Sequence, residues 1–314
     1  MKNILSCILT CFVFFSCKKD DVSNSIDNLN SHIKYFGFTI IDTHWDDPTD
    51  SELKTNYADE IHTFSNLADI LVINPTDNII QRTETFSALD LKPILHLSEL
   101  FFQVIDSNSP SGSNYDLRPN YEERWNTFKN TNQAILNTNY IGAFYIGEEP
   151  TWNGISFAEL NQVTLLLKTD FPSVPIMIIE AYPSLDQLQI PELIDWVGFD
   201  RYFIKNPNED SEFQQNWQTL KSKLTSPSQK IMIVMDSHYL DWAHGNFGNI
   251  NLLEMDIVAN NYYQLAQSDE KVIGILGYFW PSGFDFPNSV GARNMPENIK
   301  ENYSRIGKEI TNKQ

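Results

Sequence analysis

Two adjacent carboxylates end one apolar segment of the sequence. Residues 142–147 read Gly-Ala-Phe-Tyr-Ile-Gly and are followed directly by Glu148, Glu149 and Pro150. A buried strand that delivers acids at its carboxyl end is typical of the mouth of a parallel barrel. Strand side chains alternate between faces and proline stops the strand, so one acid of the pair is expected to face a cavity. An acidic turn that opens a helix is the plain alternative.

Polar and aromatic side chains follow most of the other apolar segments as well. In chain order, the candidates for binding a substrate are Asp42, His44, Trp45, Asn74, His96, Glu148, Glu180, Tyr182, Asp200, Tyr202, His238 and Trp280. Any one of them has an ordinary explanation as a packed aromatic or a hydrogen-bonded core residue. Their repetition at the ends of several segments favours one shared site.

Such a site requires elements that bring the ends of the segments together. Short β-rich apolar segments predict strands at Phe38–Asp42, Ile70–Asn74, Pro93–Leu97, Ala143–Gly147, Pro175–Glu180, Trp196–Asp200, Ile231–Met235 and Val272–Phe279. Helices are predicted between them at Tyr121–Leu136, Ser156–Lys168, Asp210–Leu224 and Leu252–Gln267, with a last helix beginning near Pro296. Alternating strands and helices indicate a parallel sheet covered on both sides. Eight such strands favour an α/β fold of the (β/α)8 TIM barrel type, as a single domain over residues 35–314.

Two connections between the predicted strands have unusual lengths. The connection after the third strand is long and begins with Phe101–Pro119, which is rich in Ser, Asn, Pro and Gly. Ala181–Asp195 is short and leaves room for only a small helix. Because long loops at the active face of a barrel usually shape the cleft, the longer connection is expected to border the substrate. No glycine-rich phosphate fingerprint follows any strand, which counts against a dinucleotide fold.

The amino-terminal residues predict export. Lys2 precedes an apolar segment from Ile4 to Phe15 that is too short to span a bilayer stably. The following Ser16-Cys17 resembles a bacterial lipobox, in which the cysteine becomes the lipidated first residue of the mature protein. The resemblance implies a lipoprotein signal peptide over residues 1–16 and a membrane anchor at Cys17.

The segment after this cysteine is polar. Residues 17–34 are rich in Asp, Asn and Ser and are expected to form a flexible tether. Within it, Lys18-Lys19-Asp20-Asp21 resembles the export signal of surface lipoproteins in Bacteroidetes-type bacteria, and an ordinary charged linker is the alternative. The resemblance implies an outer-membrane lipoprotein that faces the periplasm or the cell surface.

Composition narrows the classes of partner. All three cysteines lie within the first 17 residues, so no disulfide framework or cysteine metal site is expected in the domain. The formal net charge of −19 opposes binding to nucleic acid and to anionic polymers. We therefore expect a monomer that binds a neutral or weakly charged substrate, without a cofactor.

Hydrolysis of a sugar chain needs the residues gathered here. An acid must protonate the leaving oxygen, a second carboxylate must attack the anomeric carbon or activate water, and an aromatic ring must hold the sugar. The pattern resembles the retaining-glycosidase barrels of the cellulase and beta-galactosidase kind over about residues 35–310. In that clan the acid/base is a Glu within Asn-Glu-Pro on the fourth strand, which implies this role for Glu149, with Glu148 in place of the asparagine. The resemblance also implies that Trp280, on the eighth strand, is the stacking platform.

The seventh strand departs from the clan. The clan places a glutamate nucleophile there, whereas this chain carries Asp236. We predict Asp236 as the second catalytic residue, with Asp200 as the other candidate. The side chain of Asp236 is one methylene shorter than a glutamate and would widen the carboxyl separation toward the roughly 6.5–9.5 Å of inverting enzymes, against about 5–5.5 Å in retaining ones. A second resemblance, to chitinase-like barrels, rests on residues 198–202 and Trp280, but the acidic series of those enzymes is absent from the fourth strand.

Two other classes of function remain open. A metal-dependent hydrolase on the same barrel would use Asp42, His44, His96 and His238 as ligands. Against it, the His-x-His pair of many such barrels is replaced by Thr43-His44-Trp45 in the first strand. A surface lipoprotein that binds glycan without cleaving it is the other class. The sequence favours a metal-free glycosidase that cleaves a neutral or weakly charged poly- or oligosaccharide with two carboxylates.

Overall fold

Eight parallel strands close into a barrel in the computed structural model, which describes residues 32–314. The barrel strands are β1 (Tyr35–Asp42), β2 (Leu67–Leu71), β3 (Lys92–His96), β6 (Ala143–Glu148), β7 (Ile176–Ala181), β8 (Trp196–Asp200), β9 (Lys230–Asp236) and β10 (Val272–Tyr278). They pair in the order β1-β10-β9-β8-β7-β6-β3-β2, and β2 closes the ring by pairing with β1. Between β3 and β6, a separate antiparallel hairpin is formed by β4 (Phe102–Asp106) and β5 (Asn114–Leu117).

Helices connect the strands on the outside of the barrel. They are α1 (Ala58–Ile61), α2 (Ile80–Ala88), α3 (Ser98–Phe101), α4 (Tyr121–Asn132), α5 (Phe157–Asp170), α6 (Ser211–Lys223), α7 (Asp241–Ala243), α8 (Met255–Ser268) and α9 (Glu297–Thr311). Local sequence sets some of their starts. Ser156 and Glu159 form a reciprocal capping box at α5, and the Asp210 carboxylate accepts the Phe213 N–H at α6. The strand ends are thereby linked by short turns into helices.

The apolar core has two layers. The larger layer lies between the strands and the helices and includes Phe38, Phe144 and Trp217. The smaller layer fills the barrel interior with side chains such as Tyr145, Met177 and Leu276. A barrel filled in this way is a packed core rather than a pore, so a ligand can enter only at its ends.

The predicted (β/α)8 barrel is confirmed, and the bounds of the second strand change. The second strand is Leu67–Leu71 rather than Ile70–Asn74, because the residues that pair with β3 begin at Leu67 and end at Leu71. The buried Asp69 carboxylate of this strand accepts the backbone N–H groups of Ile40 and Ile41. As predicted, the β7-to-β8 connection has room for only a small helix, the 3-10 turn Tyr182–Ser184. The long connection after β3 contains the β4–β5 hairpin.

The predicted signal peptide, the anchor at Cys17 and most of the tether lie outside the described residues. The end of the predicted tether does pack on the barrel. Ile33 is buried, and the Lys34 N–H donates to the Ile273 carbonyl at 2.7 Å. In the part of the chain that the structure describes, no helix has both the length and the apolar character needed to cross a membrane.

Candidate active site

A cavity of about 660 Å³ opens where the carboxyl ends of the barrel strands converge. Seven residues of the sequence-based candidate set line it: His44, Trp45, His96, Glu148, Glu149, Asp200 and Tyr202. They come from the ends of β1, β3, β6 and β8 and from the loops that follow these strands. The barrel therefore brings together side chains that are up to 158 positions apart in the sequence, the separation of His44 and Tyr202.

Both glutamates of the pair face this cavity, whereas strand alternation predicted only one. Glu148 is the last residue of β6, and Glu149 leaves strand geometry with a left-handed φ of 48°. That conformation costs a residue other than glycine about 1–2 kcal/mol. Two backbone hydrogen bonds hold it: Glu149 N–H to the Ile179 carbonyl at 2.7 Å, and Asn153 N–H to the Glu149 carbonyl at 2.8 Å. Strain that is held in place beside acids is typical of functional sites.

A bulge in β6 also changes which side chains point inward. Tyr145 pairs with Met177, but Gly147, two residues on, pairs with Ile178, so β6 carries one extra residue here. Alternation counted back from Glu148 would put Tyr145 outside the barrel. Because of the bulge, Tyr145 and Glu148 both line the cavity. Sequence reasoning missed Tyr145 for this reason.

Glu149 and Asp200 form a carboxyl pair. Their side chains hydrogen-bond to each other, which requires one proton between them. Burial and the negative charge of Glu148 raise the pKa of Glu149 to about 7, although the hydrogen bond to Asp200 opposes the rise. Burial and the charge of Glu149 raise the pKa of Asp200 well above its usual range. The Tyr202 hydroxyl donates a hydrogen bond to Asp200 Oδ2 at 3.4 Å.

Glu148 meets a histidine instead. Its Oε2 lies 3.3 Å from His96 Nε2. The Glu148 side chain is 53% exposed, but partial loss of hydration within the cavity, together with the negative charges of Asp285 and Glu99, raises its pKa to about 7. Burial lowers the pKa of His96, although Asp69 and Glu99 oppose the shift. The contact therefore joins a neutral imidazole to a carboxyl group that titrates near neutral pH.

Aromatic rings form much of the cavity wall. Tyr202 and Tyr278 stack with ring centroids 5.0 Å apart and planes 17° from parallel. Trp45 donates from Nε1 to the Ser282 carbonyl at 3.0 Å and meets the edge of Phe284. Rings held in this way present fixed apolar faces beside the acids, which suits the apolar faces of a sugar.

Asp236, the predicted second catalytic residue, lies outside the lining of this cavity. It is fully buried, and its Oδ1 lies 3.2 Å from His238 Nδ1 and 3.3 Å from His244 Nε2. Its Oδ2 accepts the Phe203 N–H at 2.8 Å. Burial disfavours the charged carboxylate, but the two imidazoles outweigh burial and hold the pKa of Asp236 below its usual range. A carboxylate with all these partners does not reach a substrate, and the same holds for the buried His238, which the sequence placed in the binding site.

Trp280 is not the stacking platform that the sequence predicted. Only 5% of it is exposed, its ring meets Phe38 at 4.8 Å, and its Nε1 donates to Glu60 Oε2 at 2.8 Å. Trp280 therefore packs in the larger core layer, between the barrel strands and the helices. Tyr278, two residues earlier in β10, lines the cavity in its place.

Three more candidates do not line the main cavity. Asp42 accepts from Arg82 Nε at 2.7 Å. Asn74 is exposed at a turn, away from the cavity lining. Glu180 is fully buried and accepts the backbone N–H groups of Thr151 at 2.8 Å and Trp152 at 3.1 Å. Glu180 thus fixes the turn that follows Glu149 and positions the carboxyl pair indirectly.

The four predicted metal ligands are not gathered at one point. Asp42 is bound to Arg82 and His96 faces Glu148. Among residues 32–314, a different group has its ligand atoms within 4.8 Å of one another: Asp236, His238 and His244. This group is buried and does not line the cavity.

A second cavity of about 440 Å³, here called the distal cavity, adjoins the first. The two share Glu149, Asp200 and Tyr202 in their linings. Tyr182, the remaining candidate of the sequence, lies in the distal cavity, 45% exposed and with the Arg201 guanidinium 4.9 Å above its ring. The carboxyl pair therefore stands at the junction of two cavities.

Solved structures that superpose on this barrel include a mannanase, a xylanase and a glucosidase. A GH113 beta-1,4-mannanase superposes with a TM-score of 0.53 at 13% identity, over 87% of this chain and 99% of that one. A thermostable mutant of a xylanase from Cellvibrio japonicus gives 0.54 at 10% identity, over 89% and 98%. A glucosidase from Croceicoccus marinus gives 0.56 at 9% identity, over 88% and 68%. At these identities the similarity establishes the fold alone, a (β/α)8 barrel. No protein-family model matches the sequence, and no curated protein does.

Proposed function

We propose that this protein is a glycosidase that cleaves a neutral or weakly charged poly- or oligosaccharide with the carboxyl groups of the main cavity. The observation that carries the proposal is the hydrogen-bonded pair of Glu149 and Asp200 in an aromatic-walled cavity at the carboxyl ends of the strands. A proton held between two acids is available to a leaving oxygen. The surrounding rings offer surfaces on which a sugar can stack.

Glu149 is the general acid in this proposal. With a pKa raised to about 7, it keeps its proton at mildly acidic pH and can release it when the bond breaks. The bond between the anomeric carbon and the glycosidic oxygen breaks, and that oxygen takes the proton. Asp200 orients Glu149 and shares the proton in the resting enzyme.

The second carboxylate is Glu148 rather than Asp236. Glu148 faces the same cavity, whereas Asp236 is enclosed by His238, His244 and the Phe203 N–H. In its ionised form Glu148 attacks the anomeric carbon or takes a proton from the attacking water. His96, 3.3 Å away, holds the carboxylate in position.

Neutral plant-type polysaccharides are the first substrates to test. The neighbours in fold include a beta-1,4-mannanase and a xylanase, and the net charge of −19 disfavours anionic chains. Purified protein would be incubated with mannan, xylan, glucan and uronic-acid polymers, and new reducing ends would be counted. Glu149→Gln is the catalytic blank, and Glu84→Gln, at an exposed position on α2, is the matched control.

Release of sugar by the wild type and by Glu84→Gln, but not by Glu149→Gln, is the expected result. Binding of a polysaccharide without release by the wild type would contradict hydrolysis and favour a protein that only binds glycan. Loss of activity with a chelator and recovery with a divalent metal would instead favour a metal-dependent hydrolase, for which Asp236, His238 and His244 are the available ligand group.

We also propose that the chain is exported and carried on the outer membrane by a lipid at Cys17. The support is the sequence alone: an apolar segment from Ile4 to Phe15 followed by Ser16-Cys17. Metabolic labelling with a fatty acid should mark the wild type but not Cys17→Ser. Equal labelling of the two forms, or none of the wild type, would contradict the anchor.

A further inference from the structure

Three exposed aromatic side chains form a continuous strip beside the distal cavity. Phe247 is 68% exposed, Trp242 47% and Phe286 46%. Their ring centroids follow one another at 6.0 Å from Phe247 to Trp242 and at 5.9 Å from Trp242 to Phe286. We call these three residues the aromatic strip. Exposed large apolar side chains that cluster rather than scatter mark a binding surface.

The strip is connected with the proposed active site. Phe247 lines the distal cavity, and its ring lies 6.0 Å from that of Phe203, which lines the same cavity. The distal cavity in turn shares Glu149 and Asp200 with the main cavity. One path therefore runs from the main cavity, past the carboxyl pair, through the distal cavity and onto the strip.

The strip is built by two separate loops. Trp242 and Phe247 follow β9, and Phe286 follows β10. The rings do not complete the core, because each leaves about half or more of its surface in solvent. Loops at this end of a barrel carry binding residues on a rigid scaffold.

The chemistry of the path points to a neutral sugar chain. Arg201, the cation in the lining of the distal cavity, already pairs with Glu212 at 2.5 Å and stacks on Tyr182. Its charge is therefore partly neutralised before any ligand binds. The net charge of −19 also disfavours an anionic lipid surface or acidic polymer at the strip. Flat aromatic faces and a neutralised cation suit the apolar faces of uncharged sugar rings.

We propose that the distal cavity and the aromatic strip bind the sugar units beyond the cleaved bond, so that the enzyme cuts within long neutral chains. The proposal rests on the proposed function, since it takes the bond at the carboxyl pair as the one that is cleaved. A chain that occupies both cavities must pass the acids with sugar units on either side. Cleavage there releases oligosaccharides rather than single sugars.

The test compares a polysaccharide with a short aryl glycoside of the same sugar. For Trp242→Ala and for Trp242→Ala with Phe286→Ala, kcat/KM on the polysaccharide should fall about tenfold for each ring removed, relative to kcat/KM on the aryl glycoside. Phe157→Ala, at an exposed aromatic residue that lines neither cavity, is the matched control and should leave the ratio unchanged. The thermal midpoint of each variant checks that it is folded. An unchanged ratio in folded strip variants would overturn the proposal.

The products provide a second readout. Oligosaccharides of mixed length should appear from the first minutes, and release of single sugars alone would contradict cleavage within the chain. Affinity electrophoresis of Glu149→Gln in polysaccharide-containing gels separates binding from hydrolysis. If the wild type cleaves nothing but the added Trp242→Ala change still weakens retardation, the strip binds glycan and the proposed hydrolysis fails. Equal retardation of Glu149→Gln with and without Trp242→Ala would contradict the proposal that the aromatic strip binds glycan.

Discussion

The carboxyl groups at the ends of β6 and β8 differ from the carboxylate at the end of β9. Glu149 and Asp200 face a cavity and share a proton in a hydrogen bond between their side chains. Burial and neighbouring negative charge raise the pKa values of both. Asp236 is just as close to the end of its strand, but two imidazoles and a backbone N–H surround it and hold its pKa low. The first group can deliver a proton to a substrate, and the second is a buried carboxylate that is ionised at neutral pH and holds the surrounding structure together.

Position on the barrel therefore does not decide the role of an acid. What decides it is whether the neighbours are other acids and open space or neutralising partners. The five predictions below test this contrast, and the last compares its two sides directly.

The largest effect is expected from breaking the carboxyl pair. Asp200→Asn removes the partner that shares the proton of Glu149, so kcat/KM should fall about 10²- to 10⁴-fold, the range typical of a lost acid or base. Steady-state kinetics on the released sugar would measure it, with circular dichroism to confirm the fold. Activity within threefold of the wild type would remove Asp200 from the mechanism.

Removing the β9 carboxylate should instead cost stability. Asp236→Ala leaves two buried imidazoles and the Phe203 N–H without their shared partner, and loss of one member of a buried charged group costs about 3–5 kcal/mol. Urea unfolding gives the free energy, with Asp186→Ala at an exposed position as control. Because the pKa of Asp236 is lowered in the folded state, its stabilisation is present above the unfolded pKa of about 4 and is lost in acid. The gap between variant and wild type should therefore narrow toward pH 3, and a gap that widens there would contradict this account.

The opposite sign is expected for Glu148. Its folded pKa of about 7 lies above the unfolded value, so the folded protein binds more protons between about pH 4.5 and 7 and loses stability as pH rises through that window. Glu148→Gln removes the loss. The thermal midpoint of the variant should exceed that of the wild type at pH 8, and the difference should shrink at pH 5. A difference in thermal midpoint that does not depend on pH would show that the pKa of Glu148 is not raised in the folded protein.

A smaller effect is expected from His96. His96→Gln loses the imidazole that lies 3.3 Å from Glu148, and kcat/KM should fall about tenfold, the value of one polar contact. The pH profile of kcat/KM should shift with it, because the surroundings of Glu148 change. His62→Gln, which lies in the connection after α1, is the control. A lowered thermal midpoint with an unchanged pH profile would give His96 a structural role only.

The sequence was sufficient to predict the barrel and part of the site. The eight segments are short, apolar and β-rich, helix-like segments alternate with them, and their ends converge in any closed parallel barrel. That geometry alone places Glu149, His96 and Asp200 near one another. The prediction needed no side-chain detail, since it depends only on where each strand ends.

The departures from the sequence-based site have local causes. The bulge in β6 and the left-handed Glu149 turn both acids and Tyr145 inward, and neither feature follows from side-chain alternation. Asp236 cannot reach a substrate partly because His244, eight residues further on, contacts its carboxylate. His244 lies in a turn that no periodicity in the sequence predicts. Trp280 was placed in the cavity because of its strand, but its hydrogen bond to Glu60 is a contact between distant parts of the chain.

The most direct test sets the two regions side by side in one assay. Glu149→Gln and Asp236→Asn would be assayed on the same aryl glycoside, at a temperature where circular dichroism shows both to be folded. We predict that Glu149→Gln loses about 10²-fold or more in kcat at a thermal midpoint no lower than that of the wild type, and that Asp236→Asn keeps kcat within about tenfold of the wild type at a lowered midpoint. The reverse pattern, an inactive but fully stable Asp236→Asn beside an active Glu149→Gln, would contradict the assignment of catalysis to the carboxyl pair.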